Sequence, residues 1–202
     1  MRRRVFDLLA SFGGIVLVVV LLVAGGLLVW GHSFTNSNVH NQLAKQEVFF
    51  PPKAAFAHAK AGTEITPSMI PSVSQYAGQQ MLTGAQAEAY ADHFIAVHLS
   101  ELPYGGVYAK ISAAALAQPT NAKLKALEQT SFQGTTLRGL LLEAYAFSKI
   151  GQIMLWGAIA SFILAIIMAV LVALGFWHAR RTAPAEDLLT RRAAAPTTAT
   201  DH

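Results

Sequence analysis

The stretch AYADHFIAVHLSE, residues 89–101, places two carboxylates and two imidazoles within ten positions. They belong to Asp92, His93, His98 and Glu101. Carboxylates and imidazoles are the groups that bind metal ions and transfer protons in active sites. Whether these four side chains converge depends on the element that carries them.

Helical spacing predicts that most of them diverge. Each residue of a straight α-helix turns by about 100°, so His93 and His98 point about 140° apart and cannot share a metal ion. Asp92 shares a face with Glu88, which predicts a like-charge pair facing solvent. His98 lies on the apolar face with Glu101 one turn onward, so these two form a candidate pocket pair. The alternative is a half-buried His98 that hydrogen-bonds Glu101 or a neighbouring helix.

Other candidate sites are weaker. The histidines between the two apolar runs could converge on zinc or iron only by folding, which leaves a metal-dependent enzyme as a third hypothesis. They are His32, His40, His58, His93 and His98. No catalytic motif is found, so the sequence predicts no catalytic residue, no metal site and no cofactor. The chain has no Cys, which excludes disulfides and thiolate metal sites.

The composition is that of a membrane protein. Only 13% of the residues are charged and 53% are hydrophobic, whereas soluble domains are about 25% charged. Two runs without a charge, Leu8–Trp30 and Ile153–Trp177, exceed the roughly 20 residues that cross a bilayer. We expect the first run to be an uncleaved anchor rather than a signal peptide, since it is long and no A-x-A-like site follows it.

Basic residues outside the two runs predict the orientation. Arginines at 2–4 precede the first run, and arginines at 180, 181, 191 and 192 follow the second. The positive-inside rule therefore places both termini in the cytoplasm. Because the net charge of +4 comes mainly from these flanks, no nucleic-acid partner is predicted.

The predicted organisation has five segments. They are a cytoplasmic N-terminus (1–7), transmembrane helix 1 (8–30), an extracytoplasmic helical domain (31–152), transmembrane helix 2 (153–177) and a cytoplasmic disordered tail (178–202). We expect an all-α fold because no segment shows sustained alternation. From a tail of this size we expect no folded output domain inside the cell.

Local signals predict the outer helices. Prolines 51 and 52 should end a first helix whose stripe is Val39, Leu43, Gln46 and Phe50. Residues 51–71 predict an irregular connection with one short helix near KAAFAHAKA. Thr83 and Gln86 fit a capping box at the start of the next helix.

Three further signals concern the C-terminal half of the outer domain. PYGG at 103–106 should break the helix that begins after Thr83. Thr120 could cap NAKLKALEQT, and Gly134 and Thr135 should open the last element. The stripe that starts at Leu137 predicts one long helix from about 135 to about 180, whose outer part is a stalk for the other helices.

The second run contains a small residue at every fourth position. The ladder consists of Gly157, Ser161, Ala165, Ala169 and Ala173. Such small-xxx-small ladders let a second helix approach closely in lipid. Candidate complements in the first run are Ala10, Gly14, Gly25 and Gly26. The partner could be the first run, a second copy or another membrane protein.

Three stretches resemble a group of uncharacterised two-span bacterial membrane proteins. They are LLVAGGLLVWGHSF, YAGQQMLTGAQAEAYADHFIAVHL and TLRGLLLEAYAFSKIGQI. Some members are labelled aromatic ring-opening dioxygenase, a chemistry that in its common form needs an iron held by two histidines and a carboxylate. The matched stretches carry spans and helices, so the resemblance implies a topology and no activity.

These observations predict a non-catalytic protein of the cell membrane whose environment is the lipid bilayer. The first hypothesis is a scaffold or accessory subunit of an envelope complex, in which case Leu or Ile at Ala165 and Ala169 should disrupt assembly. The second is an extracytoplasmic ligand or stress sensor that signals through a membrane partner. An apolar pocket among the outer helices would favour the sensor.

Overall fold

The computed structural model describes residues 3–181, with side chains from residue 9 onward except that of residue 179. These residues are all-α: seven α-helices are joined by short 3₁₀ and π segments, with no strand beyond an isolated bridge between Phe49 and Gln80. The α-helices are α1 (Arg3–Ala44), α2 (Lys53–Phe56), α3 (Ile70–Val73), α4 (Gly84–Tyr90), α5 (Ala96–Ser100), α6 (Tyr108–Ala117) and α7 (Ala122–Arg181). The predicted fold class is confirmed.

Two helices, α1 and α7, are long and apolar enough to cross a membrane. The contacts divide the chain into two units, Met1–Val29 with Leu155–His202, and Trp30–Met154. Each long helix runs through both units without a break. The predicted cytoplasmic tail lies outside the described residues, except that α7 includes residues 178–181.

In the first unit, α1 and α7 pack antiparallel along a seam in which the spacing alternates between three and four residues. On α1 the seam residues are Ser11, Gly14, Val18, Leu21, Gly25 and Leu28. On α7 they are Ala158, Ser161, Ala165, Met168, Val172 and Gly175. This is the heptad spacing of coiled coils, in which two helices keep one face toward each other over many turns.

The seam pairs small residues with large ones. A Cβ atom at Gly25 would lie 2.9 Å from the Phe162 ring, and one at Gly157 would lie 3.3 Å from Cδ1 of Leu28. Large apolar side chains on the other faces are exposed, for example Val16 (65%) and Ile166 (65%). A pair of helices that is apolar all round is the pattern expected of membrane spans.

The core of the second unit is formed by the C-terminal end of α1 together with α2, α3 and α4. Leu43, Phe50, Met69 and Met81 are each no more than 2% exposed. The ring of Phe50 packs against the ring of Tyr90 at 5.4 Å between centroids. Leu141 brings α7 into the same core, so the part of α7 within this unit supports the smaller helices.

Three predicted helix boundaries are wrong. The helix through Val39 and Leu43 ends at Ala44 rather than at Pro51, because Glu47 turns into the left-handed region at φ 51°. Phe50 is still buried, since its N–H bonds the carbonyl of Gln79 in an extended segment. Gln46, predicted on the same stripe, is exposed.

The other two boundary errors concern α7, which begins at Ala122 and not near 135. Its cap is Asn121, whose Oδ1 accepts from the N–H groups of Lys123 and Leu124 at 3.1 and 3.3 Å, so Thr120 is not the cap. The helix passes through Gly134 because a single glycine only weakens a helix and does not end it.

Candidate binding groove

The stretch that carries the clustered polar residues begins with a complete capping box. Oγ1 of Thr83 accepts from the N–H of Gln86 at 3.3 Å, and Oε1 of Gln86 accepts from the N–H of Thr83 at 3.0 Å. Nε2 of Gln86 also donates to Oε1 of Gln79 at 3.1 Å. These bonds confirm the predicted start of the helix and fix its position against the core.

A π-helical segment, Ala91–Ile95, separates α4 from α5. A π turn holds more residues than an α turn, so angles calculated at 100° per residue no longer apply beyond it. No residue type in ADHFI distinguishes the π turn from an ordinary helix, and sequence reasoning therefore missed it. π segments are frequent at functional sites.

Asp92 does not form a solvent-facing pair with Glu88, so that prediction is wrong. Oδ1 of Asp92 lies 2.7 Å from Nη2 and 3.2 Å from Nε of Arg138 on α7. The Asp92 side chain is 35% exposed and that of Arg138 is 41% exposed. The long side chain of Arg138 reaches Asp92 from α7. The periodicity of a single helix cannot reveal such a contact between two helices.

His98 is held by its own helix. Nδ1 lies 2.8 Å from the carbonyl oxygen of Phe94, and the two rings meet edge to face at 4.6 Å. Because a carbonyl only accepts, Nδ1 carries the proton and Nε2 is the acceptor of the neutral ring. In the described part of the chain no hydrogen bond or ion pair joins His98 to Glu101. The expected bond to Glu101 or to a neighbouring helix is replaced by this local one.

His98 and Glu101 nevertheless line the same groove. The groove has a volume of about 700 Å³ and lies among α5, the π segment, α7 and the loop at Glu64. Its lining residues are Glu64, Tyr90, Phe94, Ile95, His98, Leu99, Glu101, Leu102, Thr130, Gly134 and Leu137. Small-molecule sites usually occupy about 300–1,000 Å³ and are mostly apolar with a few polar groups. We call this feature the binding groove.

Two features set the electrostatics of the binding groove. Burial, and secondly the carboxylate of Glu64, raise the pKa of Tyr90 above its ordinary value of 10.0. The Tyr90 phenol therefore stays neutral at physiological pH and keeps a proton to donate. The lining includes two carboxylates and no lysine or arginine, so the groove is acidic.

The other histidines do not converge with His98. Within residues 3–181 no group of three His, Asp or Glu side chains is arranged to hold a metal ion. His32 instead donates from Nδ1 to the carbonyl oxygen of Gly151 at 2.9 Å, joining α1 to α7. His40, His58 and His93 are exposed. The metal-dependent hypothesis therefore has no ligand set in this part of the chain.

The small-residue ladder is divided between two faces of α7. Ala165 is 2% exposed in the seam with α1, and Gly157 and Ser161 are half-buried there. Ala169 and Ala173 are exposed. Steps of four residues advance about 40° per step around a helix of 3.6 residues per turn, so the ladder winds away from the seam. Among the predicted complements Gly14 and Gly25 lie in the seam, whereas Ala10 and Gly26 are exposed.

Comparison of the chain with protein-family models, with curated proteins and with solved structures finds no match. The resemblance to two-span bacterial membrane proteins therefore stays a prediction.

Proposed function

We propose that the chain is a non-catalytic membrane protein, a scaffold or accessory subunit that holds a helical recognition domain at the bilayer surface. The observation that carries this proposal is the seam between α1 and α7, which joins the two apolar helices into one anchor. The most apolar part of α7 is only 6% buried, which is unlike the core helix of a soluble protein. A cleaved signal peptide would have no need of the packing at Gly25.

The proposed orientation places both termini in the cytoplasm and residues 31–152 outside. It is supported by the arginines that flank the two apolar runs. The cysteine-free chain allows a direct test with single cysteines. Lys60→Cys, an exposed site, should react with a membrane-impermeant maleimide in intact cells, and Ala194→Cys should react only after lysis. The reverse pattern would contradict the orientation.

Assembly with a partner would use the part of the ladder that faces away from α1. Ala169→Leu should reduce recovery of a cross-linked partner or second copy, because a bulky side chain prevents close helix approach. Ala165→Leu should instead disturb the seam within the chain. Ala160→Leu is the control, since Ala160 is exposed on the other side of α7. Equal recovery from the Ala169 and Ala160 variants would refute the assembly role.

The binding groove supports a second candidate function, ligand sensing with lateral transmission through α7. Part of the groove lining belongs to α7 itself, namely Thr130, Gly134 and Leu137. A fourth lining residue, Leu99, packs its side chain on Gly134. A ligand in the groove would therefore contact α7 directly. A sensor should change its cross-linking to partners when the groove is occupied. Unchanged cross-linking with a saturated groove would leave only the scaffold role.

A further inference from the structure

The binding groove combines an apolar wall with carboxylates. We propose that it binds a small amphiphilic cation, an ammonium group on an apolar body, with Glu64 and Glu101 facing the charge. This inference shares with the ligand-sensing candidate the premise that the groove is a ligand site, and it does not depend on the membrane anchor.

The apolar wall provides most of the contact area. Leu99 and Leu102 come from α5 and the turn after it, and Leu137 comes from α7. Gly134 gives the Leu99 side chain room to lie against α7, since a Cβ there would approach Cδ2 of Leu99 to 2.7 Å. A volume of about 700 Å³ accommodates a phenylalkyl or short alkyl body. Burial of such a body favours binding without specifying charge.

The polar groups specify the charge. Glu64 and Glu101 are both exposed at the groove, so each carboxylate stays hydrated until a ligand arrives. The guanidinium of Arg138, the residue after the lining residue Leu137, is bonded to Asp92. Nδ1 of His98 is bonded to the Phe94 carbonyl. An anionic ligand would meet two uncompensated carboxylates, whereas a cation would neutralise them.

Aromatic rings strengthen the preference for an ammonium group. The rings of Tyr90 and Phe94 lie 4.6 Å apart with an interplanar angle of 32°, and both line the groove. Ring faces attract cations through their quadrupole, more strongly for a partly dehydrated ammonium. The Tyr90 phenol, kept neutral by burial and by Glu64, adds no negative charge but offers a hydrogen bond.

The π segment is an independent indication of a ligand site. It brings the consecutive residues Phe94 and Ile95 to the groove lining. A π turn is rare in proteins and, where it interrupts an α-helix, is frequently at a functional site. Here it shapes the wall that would contact the apolar body.

The test uses the full chain in lipid nanodiscs and three water-soluble probes with a common apolar body. They are 4-phenylbutylammonium, 4-phenylbutanol and 4-phenylbutanoate. Saturation-transfer NMR measures each dissociation constant, and empty nanodiscs give the contribution of lipid partition. We expect the ammonium probe to bind at least about tenfold more tightly than the carboxylate, a difference of about 1.4 kcal/mol. Equal affinities of the charged probes, or no binding above empty nanodiscs, would overturn the proposal.

Variants assign the binding to the groove. Combined Glu64→Gln and Glu101→Gln should weaken the ammonium probe about tenfold and leave the alcohol unchanged. Glu143→Gln is the matched control, since Glu143 is exposed on α7 outside the lining. Thr130→Trp should fill the groove and weaken all three probes, with circular dichroism confirming the helical fold. An equal loss in the Glu143 variant would show a general surface-charge effect and refute the site.

The outcomes separate this inference from the sensing candidate. Binding of the alcohol without preference for the ammonium refutes the cation and keeps the groove as a ligand site. Selective ammonium binding without any change in partner cross-linking supports the cation site and refutes sensing.

Discussion

Nη2 of Arg138 lies 2.7 Å from Oδ1 of Asp92, and this contact ties α7 to the π segment beside the binding groove. The pair explains why Asp92 is not a solvated surface charge next to Glu88. It also places a guanidinium close to an acidic groove without making that guanidinium part of the lining.

The Arg138–Asp92 pair should contribute little to stability despite its good geometry. Both side chains are more than a third exposed, Arg138 at 41% and Asp92 at 35%, and solvent screens the attraction between such exposed charges. A double-mutant cycle with Arg138→Met and Asp92→Asn should give a coupling of about 0.2–1 kcal/mol in the free energy of unfolding. The coupling should fall at high salt. A coupling of several kcal/mol that ignores salt would contradict this assignment.

The seam between α1 and α7 predicts that substitution of two adjacent glycines, Gly25 and Gly26, has very different effects on the stability of the helix pair. Gly25→Leu should destabilise the helix pair by about 1–3 kcal/mol or more, as overpacking does, because a Cβ there already lies 2.9 Å from Phe162. Gly26→Leu should be tolerated, since nothing lies within 4 Å of its Cβ position. The measurement is the melting temperature of each variant in mild detergent.

Gly14→Leu against Gly13→Leu repeats this comparison at the other end of the seam. A Cβ at Gly14 would collide with the side chain of Val172, and one at Gly13 would meet nothing within 4 Å. Equal melting temperatures within both pairs would mean that the two helices do not pack along this seam.

The turn at PYGG supplies a third matched pair of glycines. Gly105 and Gly106 both have positive φ, at 65° and 68°, but only a Cβ at Gly106 would collide with the Leu99 carbonyl. Gly105→Ala should cost about 1–2 kcal/mol for the left-handed backbone alone. Gly106→Ala should cost clearly more, because the shift would also break the 2.8 Å bond from the buried Ser131 hydroxyl to the Gly106 carbonyl. Unfolding by urea in detergent compares the two, and similar losses would contradict the predicted contact.

The parts of the fold that local signals control could be predicted from the sequence. The two apolar runs, the capping box at Thr83 and the break at PYGG each depend on a few neighbouring residues, and each is present. The early end of α1 could not be foreseen, because no local signal marks the left-handed turn at Glu47 or the bond of Phe50 to Gln79 across the chain. The early start of α7 follows from the cap at Asn121, a residue type that caps helices better than the neighbouring Thr120.

The candidate site was only half predictable for a related reason. Placing His98 on the apolar face required one helical period, and the residue does line a groove with Glu101. The contributions of Glu64 and Leu137 depend on tertiary packing over long sequence distances. The π segment shifts the angular register of the helix and has no sequence signature that separates it from an α-helix.

The titration of Tyr90 gives the sharpest electrostatic prediction. Burial first, and Glu64 second, raise the pKa of Tyr90 above 10.0, so its phenolate should form at higher pH than those of exposed tyrosines. The unfolded chain releases this proton near its ordinary pKa. The associated stability is therefore fully present below about pH 10 and is lost as pH rises through the folded pKa. Tyrosinate absorbance of the intact chain minus that of Tyr90→Phe isolates this group.

Glu64→Gln should lower the pKa of Tyr90 only part of the way to its ordinary value, because burial is the larger cause and remains. Glu88→Gln is the control, because it removes the same charge from α4 and Glu88 does not contribute to the shift of Tyr90. In this variant the titration curve of Tyr90 should match that of the unmodified chain. If Tyr90 titrates at or below 10.0 in the unmodified chain, its phenol is solvated and the wall of the binding groove is not packed as described. If both carboxylate variants shift it equally, the influence of Glu64 is a property of net charge and not of its place at the groove.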